Sequence, residues 1–451
     1  MRKTIVVSDN EFINLLYVLN LEVYLAAETV LVTGVPAAIE QLVAKNNYEL
    51  IVTLESVNKE PAATAISSHL NSYGLKIPMV VTGTSKDEVI RDNVYGVSGK
   101  FNIQSVLKTA AKVLGVTAKQ MAELNVGSYY PVSFPPLKGL GIAPCPIYKK
   151  VGNDYKLLVR AEDPMAEPLK SLEQEGIDHL YVSSSDRLKV INKISLTIIE
   201  KITASLKNLE GATSEKKVSA LANGYEFAAA NLFSSDEIKQ QMQEIATASA
   251  KVMADVSRES PGLRSLLTIL MANKDGYIFS HSMITAYVAY HMIKNVTWGG
   301  ESQVEKINFV LFFHDIFLAP IYLKYPDLSI EKDLIENDKL TEKEKDDVLN
   351  HAKLAAEMVV GYKRCPMGAD VLIKQHHGMK KGKGFVKFYM EDLSPLSKVI
   401  LIAEMFVEEF LKAQKDKTQT FSTKVIIPKM ISEFKTPSYT KIVQSLVNVP
   451  L

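Results

Sequence analysis

The sequence is poor in cysteine, in tryptophan and in net charge. It holds two cysteines, Cys145 and Cys365, and one tryptophan in 451 residues. Two thiols cannot build a disulfide framework, so the chain must be held by its own cores, and a reducing compartment fits. The 52 lysines and arginines are offset by 51 aspartates and glutamates, for a formal charge of +1. A dedicated nucleic-acid binder carries a strongly basic domain, so this balance argues against a polymeric nucleic-acid partner while leaving room for a basic loop. The most hydrophobic window, residues 307–323, falls short of the roughly 18 apolar residues of a membrane span and has His314 and Asp315 at its centre. The N-terminal MRKTIVVSDNEF is broken at Asp9 and does not read as a signal peptide. A cytoplasmic protein without a membrane partner is expected. With 47% hydrophobic and 23% charged residues, the remaining composition is ordinary for a globular protein. At about 100–200 residues per domain, the length suggests two to four domains.

Residues 1–120 alternate short β-branched runs with amphipathic stretches. TIVVSD (4–9), TVLVT (29–33), LIVTL (50–54), IPMVVTGT (77–84) and VYGVSGK (94–100) read as strands buried on both faces. Strands alternating with helices predict a doubly wound parallel α/β sheet. Residues 121–195 shift to a Pro/Gly-rich segment. Strand-like DYKLLVRAEDP and HLYVSSS follow, with a short helix at PLKSLEQEG between them, predicting a small α/β module. From 196 to 451 strand signals nearly vanish and apolar residues recur at i, i+3, i+4, predicting an all-α bundle. Within it, Ser-Pro-Gly at 260–262 separates two helices, SSDEI supplies an N-cap serine, and Thr341 with Glu344 forms a capping-box pattern. The charged run at 329–347 reads as a solvated connection.

Six of the eight histidines fall between 281 and 377. His281 is followed by the adjacent pair His314 and Asp315, then by His351, then by the adjacent pair His376 and His377. The intervals of 33, 37 and 25 residues each allow one helix and a connection, so these side chains come from successive helices and can converge in a bundle core. A buried imidazole or carboxylate needs a partner, and a shared metal centre would satisfy several at once. Imidazoles suit iron, manganese or zinc, and a carboxylate such as Asp315 can bridge two ions. His69, His179 and His291 are read as structural or surface residues. His291 lies ten residues beyond His281, about 80° from a whole number of turns.

The N-terminal block resembles a response-regulator receiver domain: Asp9 follows the first strand and Lys100 the fifth. The resemblance places the phosphoacceptor at Leu54, which cannot take a phosphoryl group, with Glu55 beside it, implying a pseudo-receiver that scaffolds or dimerises. Residues from about 270 to 415 resemble the HD-GYP family of metal-dependent phosphohydrolases, which hydrolyse cyclic di-GMP. The resemblance lies in the order HS, HD, H, HH, Gly-rich loop and acid. It implies two divalent ions, iron or manganese, held by His281, His314, Asp315, His351, His376, His377 and Glu404, with Asp315 catalytic. Glu404 stands where the family has Asp. Other positions depart from the pattern. HDIGK becomes HDIFL, placing Phe317 and Leu318 where a Gly and a phosphate-binding Lys belong. The loop HHGMKKGKGFV keeps Gly382 and Gly384 but has Gly378, Met379, Phe385 and Val386 at other signature positions. Tyr277 stands where the Glu of a third ion would be. Lys380, Lys381 and Lys383 would replace the lost phosphate contacts. The resemblance further implies a cyclic dinucleotide as ligand, GGDEF-type cyclases as partners and a homodimer. The losses also leave a second expectation, a catalytically inactive relative acting as cyclic-dinucleotide sensor or scaffold.

Overall fold

A computed structural model describes residues 2–451 except 46, 85–87, 118, 120, 122–127, 174, 176, 178, 233–235, 274–275, 329, 387–392, 416–420 and 435. The chain forms two compact units, Met1–Glu200 and Lys201–Leu451.

The first unit begins with β1 (Arg2–Val7), α1 (Glu11–Leu25), β2 (Ala27–Val32), α2 (Val35–Ala44), β3 (Leu50–Leu54), α3 (Ala62–Ser72), β4 (Met79–Thr84), β5 (Glu88–Arg91), β6 (Val94–Ser98) and α4 (Ile103–Val113). The sheet order is β2-β1-β3-β4-β6-β5, with β5 antiparallel to β6 and the other neighbours parallel. Ile5, Val6, Leu50, Ile51, Val52, Met79 and Val80 are wholly buried, as central parallel strands require. One connection departs from strict alternation. Residues 85–93 join β4 to β6 and, among the described residues, carry the strand β5 instead of a helix, because the segment is shorter than the dozen or so residues of a helical crossover. At the strand ends, Leu54 is buried and Glu55 exposed, Asn10 caps α1, and Asp9 accepts the Asn58 amide at 2.7 Å. No group of three metal-ligating side chains forms there among the described residues.

The same unit continues with β7 (Tyr129–Ser133), α5 (Phe134–Lys138), β8 (Ile147–Val151), β9 (Asp154–Val159), α6 (Ala166–Glu173) and β10 (His179–Ser183). These strands form an antiparallel sheet in the order β7-β10-β8-β9. Tyr130, Val132, Ile147, Val159, Leu180 and Val182 are buried on one face. The other face carries Tyr129, stacked on Tyr155 at 4.2 Å, with Tyr148 and Tyr181 edge-on. Glu22 of α1 reaches this sheet and accepts the Ser133 amide at 2.9 Å and the Ser133 hydroxyl. Burial pushes its carboxyl above the ordinary range despite those bonds.

The helix α7 (Arg187–Lys207) carries the chain onward. The second unit then comprises α8 (Ser214–Ala230), α9 (Asp236–Glu259), α10 (Leu263–Ala272), α11 (Tyr277–Lys294), α12 (Glu301–Phe313), α13 (Ala319–Lys324), α14 (Glu331–Glu336), α15 (Glu342–Val360), α16 (Ala369–Gln375), α17 (Pro395–Lys415), α18 (Thr423–Glu433) and α19 (Pro437–Gln444). The break at 260–262 lies between α9 and α10, and the Thr341–Glu344 capping box forms. The serines of SSDEI, Ser234 and Ser235, lie outside the described residues.

Helix α11 is buried along nearly its whole length, from Ile278 and Phe279 to Met292 and Ile293, which marks it as the centre of the bundle. Phe309, Phe312, Phe313, Phe406 and Phe410 fill the core around it. Each such ring contributes about 1.5–3 kcal/mol by leaving water. The stretch Glu301–Lys324 is long and apolar enough to cross a membrane, but 78% of its most apolar window is buried within the protein. It is also broken after Phe313 by a 3₁₀ turn at Ile316–Leu318. The apolar face of α9, including Ile238, Met242, Ile245 and Met253, is buried.

Candidate metal centre

The site residues come from successive elements of the second unit. His281 lies one turn into α11. His314 caps α12, and Asp315 follows it before the 3₁₀ turn. His351 sits in the middle of α15, His376 and His377 end α16, and Glu404 lies within α17. The sequence folds this way because each histidine is embedded in an apolar helical face. Burying that face carries the ring into the core. His281, His314, Asp315, His351, His376, His377 and Glu404 are all buried.

Asp315 is the hub. Its Oδ2 lies 2.9 Å from His314 Nε2 and 4.0 Å from His281 Nε2. Its Oδ1 lies 3.5 Å from His351 Nε2 and 3.4 Å from His376 Nε2. Two clusters share it: His281, His314 and Asp315 form one, and Asp315, Glu331, His351, His376 and His377 form the other. Glu404 stands beside both, with Oε1 at 3.3 Å from His314 Nε2 and Oε2 at 3.8 Å from His377 Nδ1.

Backbone carbonyls fix the ring orientations. His314 Nδ1 donates to the Leu311 carbonyl at 2.9 Å, His351 Nδ1 to Val348 at 2.5 Å, and His376 Nδ1 to Ile373 at 2.6 Å. A carbonyl only accepts, so Nδ1 carries the proton, and in the neutral ring Nε2 presents a bare lone pair. Three bare nitrogens converge on one carboxylate, and the Nε2 atoms of His351 and His376 are 3.2 Å apart. Burial, against the charge of Asp315, pushes His281 and His376 down to about 4 and His377 well below its ordinary value. His281, His376 and His377 are therefore neutral at pH 7. A divalent cation would accept their lone pairs. Lone pairs from imidazole with carboxylate oxygens are the donor set of iron, manganese and zinc, and outward bonds from Nδ1 to carbonyls are the usual support of a metal-bound ring.

The acids divide in the same sense. Burial opposes the ionisation of Asp315, but the surrounding imidazoles of His314, His351 and His376 outweigh it and hold the carboxyl well below the usual range. Glu331 moves the other way. Burial, then the charge of Asp315 and of Glu404 and Glu408, push it well above. The centre is an acid-rich pocket.

Glu331 was not recognised in the sequence, and the reading of 329–347 as a solvated connection is corrected here. Residues Glu331–Glu336 form α14, in which Glu331 and Leu334 are buried, and Leu340 is buried after it. Glu331 Oε2 lies 2.7 Å from His377 Nε2. The available signal was the i, i+3 spacing of Glu331 and Leu334, which places the acid on the same face as an apolar anchor. The surrounding charges masked it.

Around this centre, Tyr277 stacks on His281 with ring centroids 5.8 Å apart and packs on Tyr322 at 5.0 Å. Leu318 is wholly buried. The loop after the histidine pair folds back over α15 and α16. The Gly384 amide donates to the Leu349 carbonyl at 2.7 Å, and Phe385 lies against His377 at 4.4 Å. Gly382 has φ +68°, and a Cβ there would press on Lys374 and the Lys353 amide at 3.1–3.3 Å, so the tight return requires glycine. Lys380, Lys381 and Lys383 are exposed on this loop. His291 lies between Tyr287 and Tyr290 and belongs to neither cluster, as do His69 and His179.

No family model matches the chain, and no curated protein does. Among solved structures it is similar to "Bd1817, a HDG"Y"P protein from Bdellovibrio bacteriovorus". That similarity has 13% identity and a TM-score of 0.37, and it covers 70% of this chain and 98% of that one.

Proposed function

We propose that the second unit holds a binuclear iron or manganese centre and acts as an HD-GYP-type phosphodiesterase on a cyclic dinucleotide, with cyclic di-GMP as the substrate. The observation that carries this reading is the division of Asp315: one carboxylate oxygen faces His281 and His314, the other His351 and His376. In this reading His281, His314 and Glu404 hold the first ion, His351, His376 and His377 the second, and Asp315 bridges them. When bound, such a pair supplies Lewis acidity to a phosphate ester and acidifies water toward neutral pH. The residues of the chain fix the ring tautomers and bury the donor atoms. Lys380, Lys381 and Lys383 are proposed to meet substrate phosphates as point charges on their loop. The sheet at the N-terminus is proposed as a pseudo-receiver, because Leu54 occupies the phosphoacceptor position. GGDEF-type cyclases and a second copy of the chain are the proposed partners of a cytoplasmic signalling protein.

A second reading is favoured by one observation. The position of the phosphate-binding lysine is Leu318, which is packed in the core. In that reading the centre binds metal and a cyclic dinucleotide without cleaving it. Elemental analysis of the purified protein tests both: about two iron or manganese ions per chain are expected, as a two-metal site requires. Protein grown with both metals and recovered without either would overturn both readings. Turnover of cyclic di-GMP by the metal-loaded protein selects the first, and binding without product selects the second.

A further inference from the structure

Glu331 sits where nothing in the histidine pattern asks for an acid. It enters the second cluster from a six-residue helix, with Oε2 at 2.7 Å from His377 Nε2, and is 5% exposed. Resting on the metal reading above, we infer that Glu331 is a displaceable ligand that competes with the substrate phosphate for the second ion.

Charge is the first reason. Two divalent ions bring four positive charges, and Asp315, Glu404 and Glu331 together offset all but one of them. With Glu331 withdrawn, two charges remain to attract an anionic phosphodiester. Coordination is the second. His351, His376, His377, Asp315 and Glu331 place one donor atom each within 4.8 Å of one another. A hydrolytic ion keeps a position open for its substrate, and five protein donors crowd that position. The third is the element that carries the acid. The first turn of α14 has no side-chain cap at Ile330, and Leu334 is its apolar anchor. Short elements with few buried contacts open locally at low cost. Withdrawal of α14 thus opens the ion and restores the attractive charge in one motion.

The test compares wild-type protein, Glu331→Gln and Glu331→Ala, each loaded with manganese. Metal content is measured by elemental analysis and inorganic phosphate affinity by calorimetry. Both variants are expected to keep the wild-type metal content and to bind phosphate more tightly. If the wild-type site is open in about one molecule in ten, the gain is about tenfold. Equal phosphate affinity with metal retained would overturn the inference, as would loss of an ion from either variant, since Glu331 would then be an obligatory ligand. Wild-type protein without metal would sink the metal reading itself, and this inference with it. Two ions in the wild type with no gain in the variants would sink this inference alone.

Discussion

The Nε2 atoms of His351 and His376 stand 3.2 Å apart, and each ring gives its Nδ1 proton to a carbonyl three residues back on its own chain. A cation beside both lone pairs would satisfy them at that separation. The same crowding of donors recurs around the shared carboxylate of Asp315. The fold thus spends burial and hydrogen bonds on holding donors that a metal ion could satisfy together.

Asp315 should be the one residue on which both ions depend. Asp315→Asn keeps the shape, removes the charge and should lose both metals. His281→Ala should lose only the ion on its own side, leaving about half the metal, because the other cluster stays whole. Elemental analysis after gel filtration measures both. An Asp315→Asn protein with its full metal content would exclude a bridging role.

In metal-free protein the rings of His281 and His376 should titrate near the values their burial imposes, about 4, well below the ordinary 6.5. The native state then binds fewer protons than the unfolded chain. Their stabilising contribution is present above pH 6.5 and is lost as the pH falls toward 4. Glu331, held above its ordinary range, acts in the opposite sense and makes the net profile shallower. Imidazole proton shifts in an NMR titration resolve the individual rings. Midpoints near 6.5 would mean that these rings are not buried as described.

Glu22 offers a pH test in the first unit. Its carboxyl is raised from 4.5 by burial, so the native state holds a proton that the unfolded chain has released. Stability should fall as the pH rises from 4.5 through the raised value. Glu22→Gln keeps an acceptor for the Ser133 amide and removes this loss. Thermal melts should therefore favour the variant over the wild type more at pH 8 than at pH 5. An equal difference at both would place Glu22 in water.

The bundle also has a polar pin away from the histidine clusters. The Asn308 side-chain amide on α12 donates to the Ala250 carbonyl of α9 at 3.0 Å, in the buried interface between the two helices. Asn308→Ala removes this second bond to a carbonyl that its own helix already engages, and should cost about 0.5–1.5 kcal/mol. A denaturant midpoint measures it, and metal content should be unchanged.

The order and spacing of His281, His314, Asp315, His351 and His376 were legible because each lies in or at the end of an apolar helical stretch. The parallel sheet was legible because its strands are unbroken runs of buried β-branched residues. By contrast, β5 and α14 were missed, since both are short and polar, and local pattern carries little information over a few residues. Glu331 looked like one more acid in a charged run. Its burial depends on where α14 docks, which no local pattern encodes.

The sequence by itself determined which residue types could bind metal and that they would arrive on separate helices, because apolar periodicity fixes which helical face is buried. The tertiary structure alone decided that one carboxylate would serve two sets of imidazoles, that the Nδ1 atoms would be turned to carbonyls, and that an acid from another segment would join them. Those facts are distances between segments remote along the chain. They are set by packing of the whole bundle, and periodicity within a single helix says nothing about them.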